Sequence, residues 1–127
     1  MDQAKKNKQF IVDYFNAISG APKTADLLGR YITDDKLINH IHFFESAFPK
    51  YEMLIDEMTA EGNRVVVRAR VKGRHEGELS GIPATHKVIE IPFVISYEIR
   101  EGKIVNHWLL ADQIMVMEQL GVMKQPA

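Results

Sequence analysis

Cysteine is absent from the chain, which excludes disulfides, thiolate nucleophiles and cysteine-ligated metals and leaves any chemistry to carboxylate, imidazole, hydroxyl or amine groups. Long hydrophobic runs are absent too. No stretch approaches the roughly 18 apolar residues that cross a bilayer, and the opening MDQAKKNKQF has no apolar core of the signal-peptide kind. The expectation is a cytoplasmic protein without a membrane partner. Charge of one sign is not in excess: 16 Lys and Arg against 17 Asp and Glu leave a net charge of -1, so no phosphate backbone is expected as a partner and nucleic acid is set aside. Internal repeats and low-complexity tracts are missing. What is there is 46% hydrophobic and 26% charged over 127 residues, enough for one core and too little for two, so residues 1–127 should form a single domain.

The first 48 residues carry helical periodicity. Phe10, Ile11, Tyr14, Phe15 and Ile18 recur at three- and four-residue spacing, and the run stops at Gly20 with Pro22 beyond. A short second helix is expected from a Thr24 cap through Leu27, Leu28 and Tyr31. A third should start after Asp34 or Asp35 and place Leu37, Ile41, Phe44 and Phe48 on one stripe before Pro49 ends it. From residue 51 the period changes to two, with strands expected at 51–60, 64–76, 87–100 and 103–111. The turns Glu61-Gly62-Asn63 and Glu101-Gly102 favour antiparallel hairpins. Helices followed by a meander make the expected class α+β, with the helices on one face of the sheet.

Alternation says which strand faces are wet. In the second strand Val65, Val67, Ala69 and Val71 share one side and Arg64, Arg68, Arg70, Lys72 and Arg74 the other, so the valine side is buried, with His75 on it. The third strand keeps Ile89, Ile91, Phe93, Ile95, Tyr97 and Ile99 together. Val88 and Val94 lie on its other face, which suggests that part of that face is covered, by a partner subunit in a homodimer through the open face of the sheet. Pro92 donates no ladder hydrogen bond and marks an edge, a bulge or a bend.

The run from Gly102 to Gly121, GKIVNHWLLADQIMVMEQLG, holds one carboxylate in register with the single tryptophan. Regular alternation puts Ile104, Asn106, Trp108, Leu110 and Asp112 on one side and Val105, His107, Leu109 and Ala111 on the other. If the first row faces a cavity, desolvation lets Asp112 hold or pass a proton near neutral pH. Asp112 also precedes Ile114, Met117 and Leu120 at helical spacing and a terminal Gly121, so it is equally placed as a helix N-cap, and the two roles are not exclusive.

Taken in order, several segments resemble the SnoaL-like polyketide and ester cyclase family of the nuclear transport factor 2-like superfamily. They are Phe48-Pro49 before the first strand, Ala60-Glu61-Gly62-Asn63-Arg64-Val65-Val66-Val67-Arg68, Gly73-Arg74-His75-Glu76-Gly77-Glu78-Leu79, Gly81-Ile82-Pro83-Ala84-Thr85, and Gly102-Lys103-Ile104 through His107-Trp108, Asp112 and Gln119-Leu120-Gly121. The resemblance covers most of the chain. It implies a cone-shaped fold in which N-terminal helices pack on a strongly curved antiparallel sheet and enclose a pocket. It further implies a cofactor-free enzyme, a cyclase-like lyase or isomerase, in which a pocket aspartate removes an acidic proton flanked by carbonyls and returns one after intramolecular aldol closure on a polyketide-like substrate. Asp112 occupies the position of that aspartate, and His75 is the candidate pocket histidine that orients substrate or stabilises an oxyanion, or else satisfies local backbone groups. His107 falls opposite Trp108 and Asp112 and is placed outside the pocket. One departure from the family pattern is His86 after Pro83-Ala84-Thr85, where the family has a glycine free to adopt positive φ.

Phe15, Tyr31, Phe44, Phe48, Tyr97 and Trp108 are the aromatic candidates for lining a ligand pocket, with plain core as the alternative for each. His40 and His42 are no metal pair, because residues two apart on a helix point about 200° from each other. His40 lies nearer the Leu37, Ile41, Phe44 stripe, where it either borders a cavity or, as the first expectation, is a partly exposed histidine at the edge of the core. No metal or other cofactor is expected. Met115, Met117 and Met123 are adaptable gap fillers or dimer contacts. The rival to an enzyme is a non-enzymatic module that binds a small hydrophobic or aromatic ligand on the same fold.

Overall fold

Four capped helices and four strands make up the computed structural model, which describes residues 2–122. Helix α1 spans Gln3–Ile18, α2 Ala25–Gly29 and α3 Asp35–Ala47. Strands β1 to β4 span Glu52–Glu61, Arg64–Arg74, Val88–Arg100 and Lys103–Ala111, and α4 closes with Gln113–Leu120. Short polar side chains begin each helix by taking up free amides: Asp2, Thr24, Asp34 and Asp112 accept from Lys5, Leu27, Leu37 and Met115. Gly121 ends α4 at φ 78°, a left-handed turn that suits a residue without Cβ.

The strands form one antiparallel sheet in the order β1-β2-β3-β4. Its inner face carries the buried odd-numbered residues of β2 and β3, from Val65 to Val71 and from Ile89 to Ile99, and these meet Ile11, Tyr14, Phe15 and Ile18 of α1 and Leu37 and Ile41 of α3 in one core. The helical half is sewn to the sheet edge where the Ile104 amide donates to the Tyr31 carbonyl and the Thr33 amide to the Ile104 carbonyl. Backbone bonds between the second and third strands run on through His75, whose amide donates to the Lys87 carbonyl, before the Glu76 and Gly77 amides turn away to the Ala47 carbonyl at the end of α3. Pro92 sits one residue past the last β3–β4 pair, Phe93 with Ala111, so its missing N–H breaks no bond to β4. Beyond that point the Gln119 side-chain amide replaces the departed strand, accepting from the Glu90 amide at 2.8 Å and donating to the Glu90 carbonyl at 3.0 Å. No described helix is long and apolar enough to cross a membrane.

A β-bulge decides which way β4 faces. Ile104 pairs with Ile99 and Asn106 with Glu98, so Val105 is an extra residue without a partner. Alternation resumes with the opposite parity. Ile104 is buried inward, but after the bulge His107, Leu109 and Ala111 point in and Trp108, Leu110 and Asp112 point out. The regular alternation expected from the sequence, with Trp108 and Asp112 inward and His107 outward, is therefore reversed. Trp108 and Leu110 are 58% and 60% exposed, and they share the outer face with exposed Val66. Met123 lies outside the described residues.

Candidate functional site

A cavity of about 360 Å³ opens between α3, α4 and the inner face of the sheet. Its volume falls at the small end of the range typical of ligand pockets. Ile41, Val71, Leu79, Ile91, Phe93 and Ile95 supply largely apolar walls, and Phe44 and Met117 add to them. Depth can be read from exposure. Tyr14 and Tyr97, 0% and 1% exposed, sit at the floor, whereas His40, Phe43, Ser80 and Gln113 are exposed and frame the mouth.

Polar groups are few and concentrated at the two ends. Burial pushes the phenols of Tyr14, Tyr51 and Tyr97 far above the ordinary tyrosine range, so each stays protonated, able to donate a hydrogen bond and unable to serve as a base. The Tyr14 and Tyr97 hydroxyls influence one another's acidity, yet Tyr97 Oη makes no hydrogen bond of full geometry. Their rings meet edge to face with centroids 5.9 Å apart. Tyr51 is held from behind by the buried Lys23 ammonium, 3.9 Å from its ring centre and bonded to the Tyr51 carbonyl and to Glu45.

At the mouth, His40 borders the cavity, the less expected of the two placements open to a histidine beside the α3 stripe. Although its side chain reaches solvent, the surrounding apolar atoms push its pKa below the ordinary histidine range, and the nearby His107 adds to the effect. It is therefore a neutral imidazole at neutral pH, with a lone pair free to accept a proton. Behind it His107 Nδ1 meets Asp34 Oδ2 at 2.6 Å. Burial opposes the charge on Asp34, but the His107 hydrogen bond and the Leu37 and Lys36 amides outweigh it and hold the carboxyl below its usual range. The helix cap and the histidine orienter are thus one side chain.

Several sequence candidates lie elsewhere. Asp112 is exposed on the outer side, where its Oδ1 accepts the Met115 amide at 3.0 Å; it does not line the cavity, although its chain neighbours Ala111 and Gln113 do. Trp108 is likewise outside. His75 is 0% exposed and does not line the cavity. Its Nδ1 accepts the Thr85 amide at 3.1 Å, which assigns the ring proton to Nε2, and the ring stacks on Phe48. It fastens the loop after β2. Phe15 and Phe48 belong to the solid core, and Tyr31 packs on Phe10 and Tyr14 without reaching the cavity. Of the six aromatic candidates, Phe44 and Tyr97 line it. His86 is exposed, adopts φ 61° and pairs with Glu76, so the bulky residue does take the left-handed conformation of the glycine it replaces. Tyr14 and Tyr51 were not among the candidates. A hydroxyl in an otherwise apolar stripe, Tyr14 between Phe10 and Ile18, was the available signal, since a buried phenol needs a partner.

Among the described residues, no three His, Asp or Glu side chains converge to hold a metal ion. The family model for the SnoaL-like polyketide cyclases matches residues 20–120. No curated protein sequence matches significantly. Among solved structures, AclR, a proposed hydroxylase from Streptomyces galilaeus, superposes with a TM-score of 0.83 at 18% identity over 98% of this chain and 87% of its own. TsrD from Streptomyces laurentii gives 0.80 at 20% identity, over 97% and 99% of the two chains. A SnoaL-like polyketide cyclase from Agrobacterium tumefaciens strain C58 gives 0.73 at 13% identity, over 91% and 98%. At these identities the likeness is one of fold, the nuclear transport factor 2-like arrangement of helices on a curled antiparallel sheet.

Proposed function

The chain belongs to the SnoaL-like polyketide cyclase family, and on that premise we propose that its cavity takes a small, largely apolar ketone-bearing substrate and catalyses cofactor-free proton transfer leading to intramolecular aldol closure. The observation that carries the reading is the placement of the His40 imidazole at the mouth of an apolar cavity, where burial lowers its pKa. His40 removes a proton from a carbon next to a carbonyl, the resulting enolate carbon bonds to a second carbonyl carbon, and the imidazolium returns the proton to the alkoxide formed there. A positioned base of this kind contributes about 10²–10⁴-fold. Holding the chain folded supplies much of the remainder. His107, paired with Asp34, lies near enough to add to the lowering of the His40 pKa.

Asp112 is the rival base. Its place in the family motif and its position between Ala111 and Gln113, both of which line the cavity, favour it; its exposure and its engagement with the Met115 amide count against it. The same reading pairs two copies of the chain through the outer sheet face bearing Trp108, Leu110 and Val66.

Deuterium exchange into 2-tetralone, a bicyclic ketone with acidic carbon-bound hydrogens, separates the possibilities. Wild-type protein is expected to accelerate exchange, His40→Gln to lose about 10²-fold or more, and Asp112→Asn to retain it. The opposite pattern assigns the base to Asp112. Binding of the ketone without accelerated exchange by any form would leave a binding protein and end the enzymatic reading.

A further inference from the structure

A hydroxyl that is 1% exposed and makes no hydrogen bond of full geometry is costly to bury, and Tyr97 Oη, with the Tyr14 hydroxyl near it, is one. It belongs to the floor of the cavity described above, beside a second buried phenol, Tyr14, whose ring meets its own edge to face. A phenol has one proton to give and two lone pairs to receive. If Tyr14 gives its proton to an oxygen on a ligand, its own oxygen is left to accept from Tyr97, and each phenol proton then has a partner.

From this arrangement we propose that the floor is a subsite for one strongly accepting oxygen, a conjugated carbonyl, enolate or phenolate, gripped by two phenols in series: Tyr97 donates to Tyr14 and Tyr14 donates to the ligand. The inference rests on the cavity being the ligand site and adds the chemistry of the end that enters first. No charged side chain lines the floor among the described residues, and the walls between floor and mouth are apolar, so an oxygen here is bound by neutral donors in a dry setting where each hydrogen bond counts for more than in water. A carboxylate or phosphate would lose most of its hydration for one donor and is excluded as the entering group. A planar ring system carrying a single terminal oxygen fits. Once the donor chain is complete, the two phenols also polarise one another, and the grip tightens as charge builds on the ligand oxygen.

The test compares 2-naphthol with naphthalene, which share a ring system and differ by the oxygen, using calorimetry on wild-type protein, Tyr97→Phe and Tyr14→Phe. The expected result is that wild type binds 2-naphthol roughly tenfold more tightly than naphthalene beyond any difference in their partition into octanol. Tyr14→Phe should abolish that preference, and Tyr97→Phe should reduce it by several-fold. Tyr97→Phe removes a hydroxyl that makes no hydrogen bond of full geometry, so the variant should fold about as well as wild type, and its melting temperature is the control. Equal preference in all three proteins overturns the subsite while leaving the cavity as a ligand site. Failure of both probes to bind wild type overturns the cavity reading and the subsite with it.

Discussion

Asp112 is where two accounts of the molecule diverge in measurable terms. As a cap, its Oδ1 accepts the Met115 amide at 3.0 Å from an exposed position, and truncating it to alanine strands one amide of the first turn of α4. Loss of such a cap costs about 1 kcal/mol. In Asp112→Asn an acceptor oxygen remains in place, and the loss is confined to the attraction between a carboxylate and the helix N-terminus, about 0.3 kcal/mol for an exposed group at moderate salt. For a chain of this size roughly 1 kcal/mol moves the melting temperature by about 4 °C. Thermal melts followed by far-ultraviolet circular dichroism should therefore place Asp112→Ala about 4 °C below wild type and Asp112→Asn within about 1 °C of it. Ligand affinity should follow the same order, because Gln113, Val116 and Met117 of α4 line the cavity and α4 is the element being loosened. If alanine and asparagine melt together, the capping account is wrong. If asparagine holds its melting temperature yet eliminates ketone exchange, the carboxylate is doing chemistry and His40 is not the base.

Asp34 should give the protein an acid-labile component of stability. Its folded carboxyl ionises below the ordinary aspartate range, so the unfolded chain takes up the proton first; the stabilisation is present above the ordinary value and is lost as pH falls through it toward the folded value. Urea midpoints measured at about pH 6 and about pH 3 should drop further for wild type than for Asp34→Asn, and parallel drops would refute the assignment. Gly77→Ala would drive a Cβ into the Ser46 carbonyl and cost the Glu76 and Gly77 amides their bonds to the Ala47 carbonyl, about 2 kcal/mol in urea unfolding; a loss below about 0.5 kcal/mol would show that the loop gives way freely. Trp108 emission should be that of a solvated indole in dilute protein and should shift to the blue as concentration rises if the outer faces pair, while cavity ligands leave it unmoved at fixed concentration. A strong response to 2-naphthol at fixed concentration would contradict the outward orientation.

The parts of the fold legible in the sequence are those where polarity and period agree. β2 alternates valine with arginine and lysine, and β3 alternates isoleucine with glutamate and serine, so a one-residue slip would bury charge; their pairing and inward faces follow. Thr24 and Asp34 announce helix starts because their side chains have a use for free amides. β4 offers no such contrast. Trp108 and Leu110 on one row are as apolar as Leu109 and Ala111 on the other, and Val105 carries nothing that marks it as an inserted residue, so the reversal of parity is invisible until hydrogen bonds are seen. Cavity lining and solid core are equally hard to separate, since both are apolar at the same spacing. Phe44 borders the hollow and Phe48, four residues on and stacked at 4.6 Å, does not. His40 was readable as a neighbour of the stripe, but the Asp34–His107 pair joins residues 73 apart in sequence and depends on the same reversal.

The unpaired valine in the last strand gives the protein an address system that counts rather than reads. Removing that one residue would leave every downstream side chain chemically unchanged while exchanging inside for outside. Indole and leucine would be delivered to the hollow, and imidazole, with its carboxylate support, to the exterior. Shortening the strand by a single position is thus a larger alteration of what the hollow can recognise than any substitution along it, and a designer wishing to invert its lining would begin there.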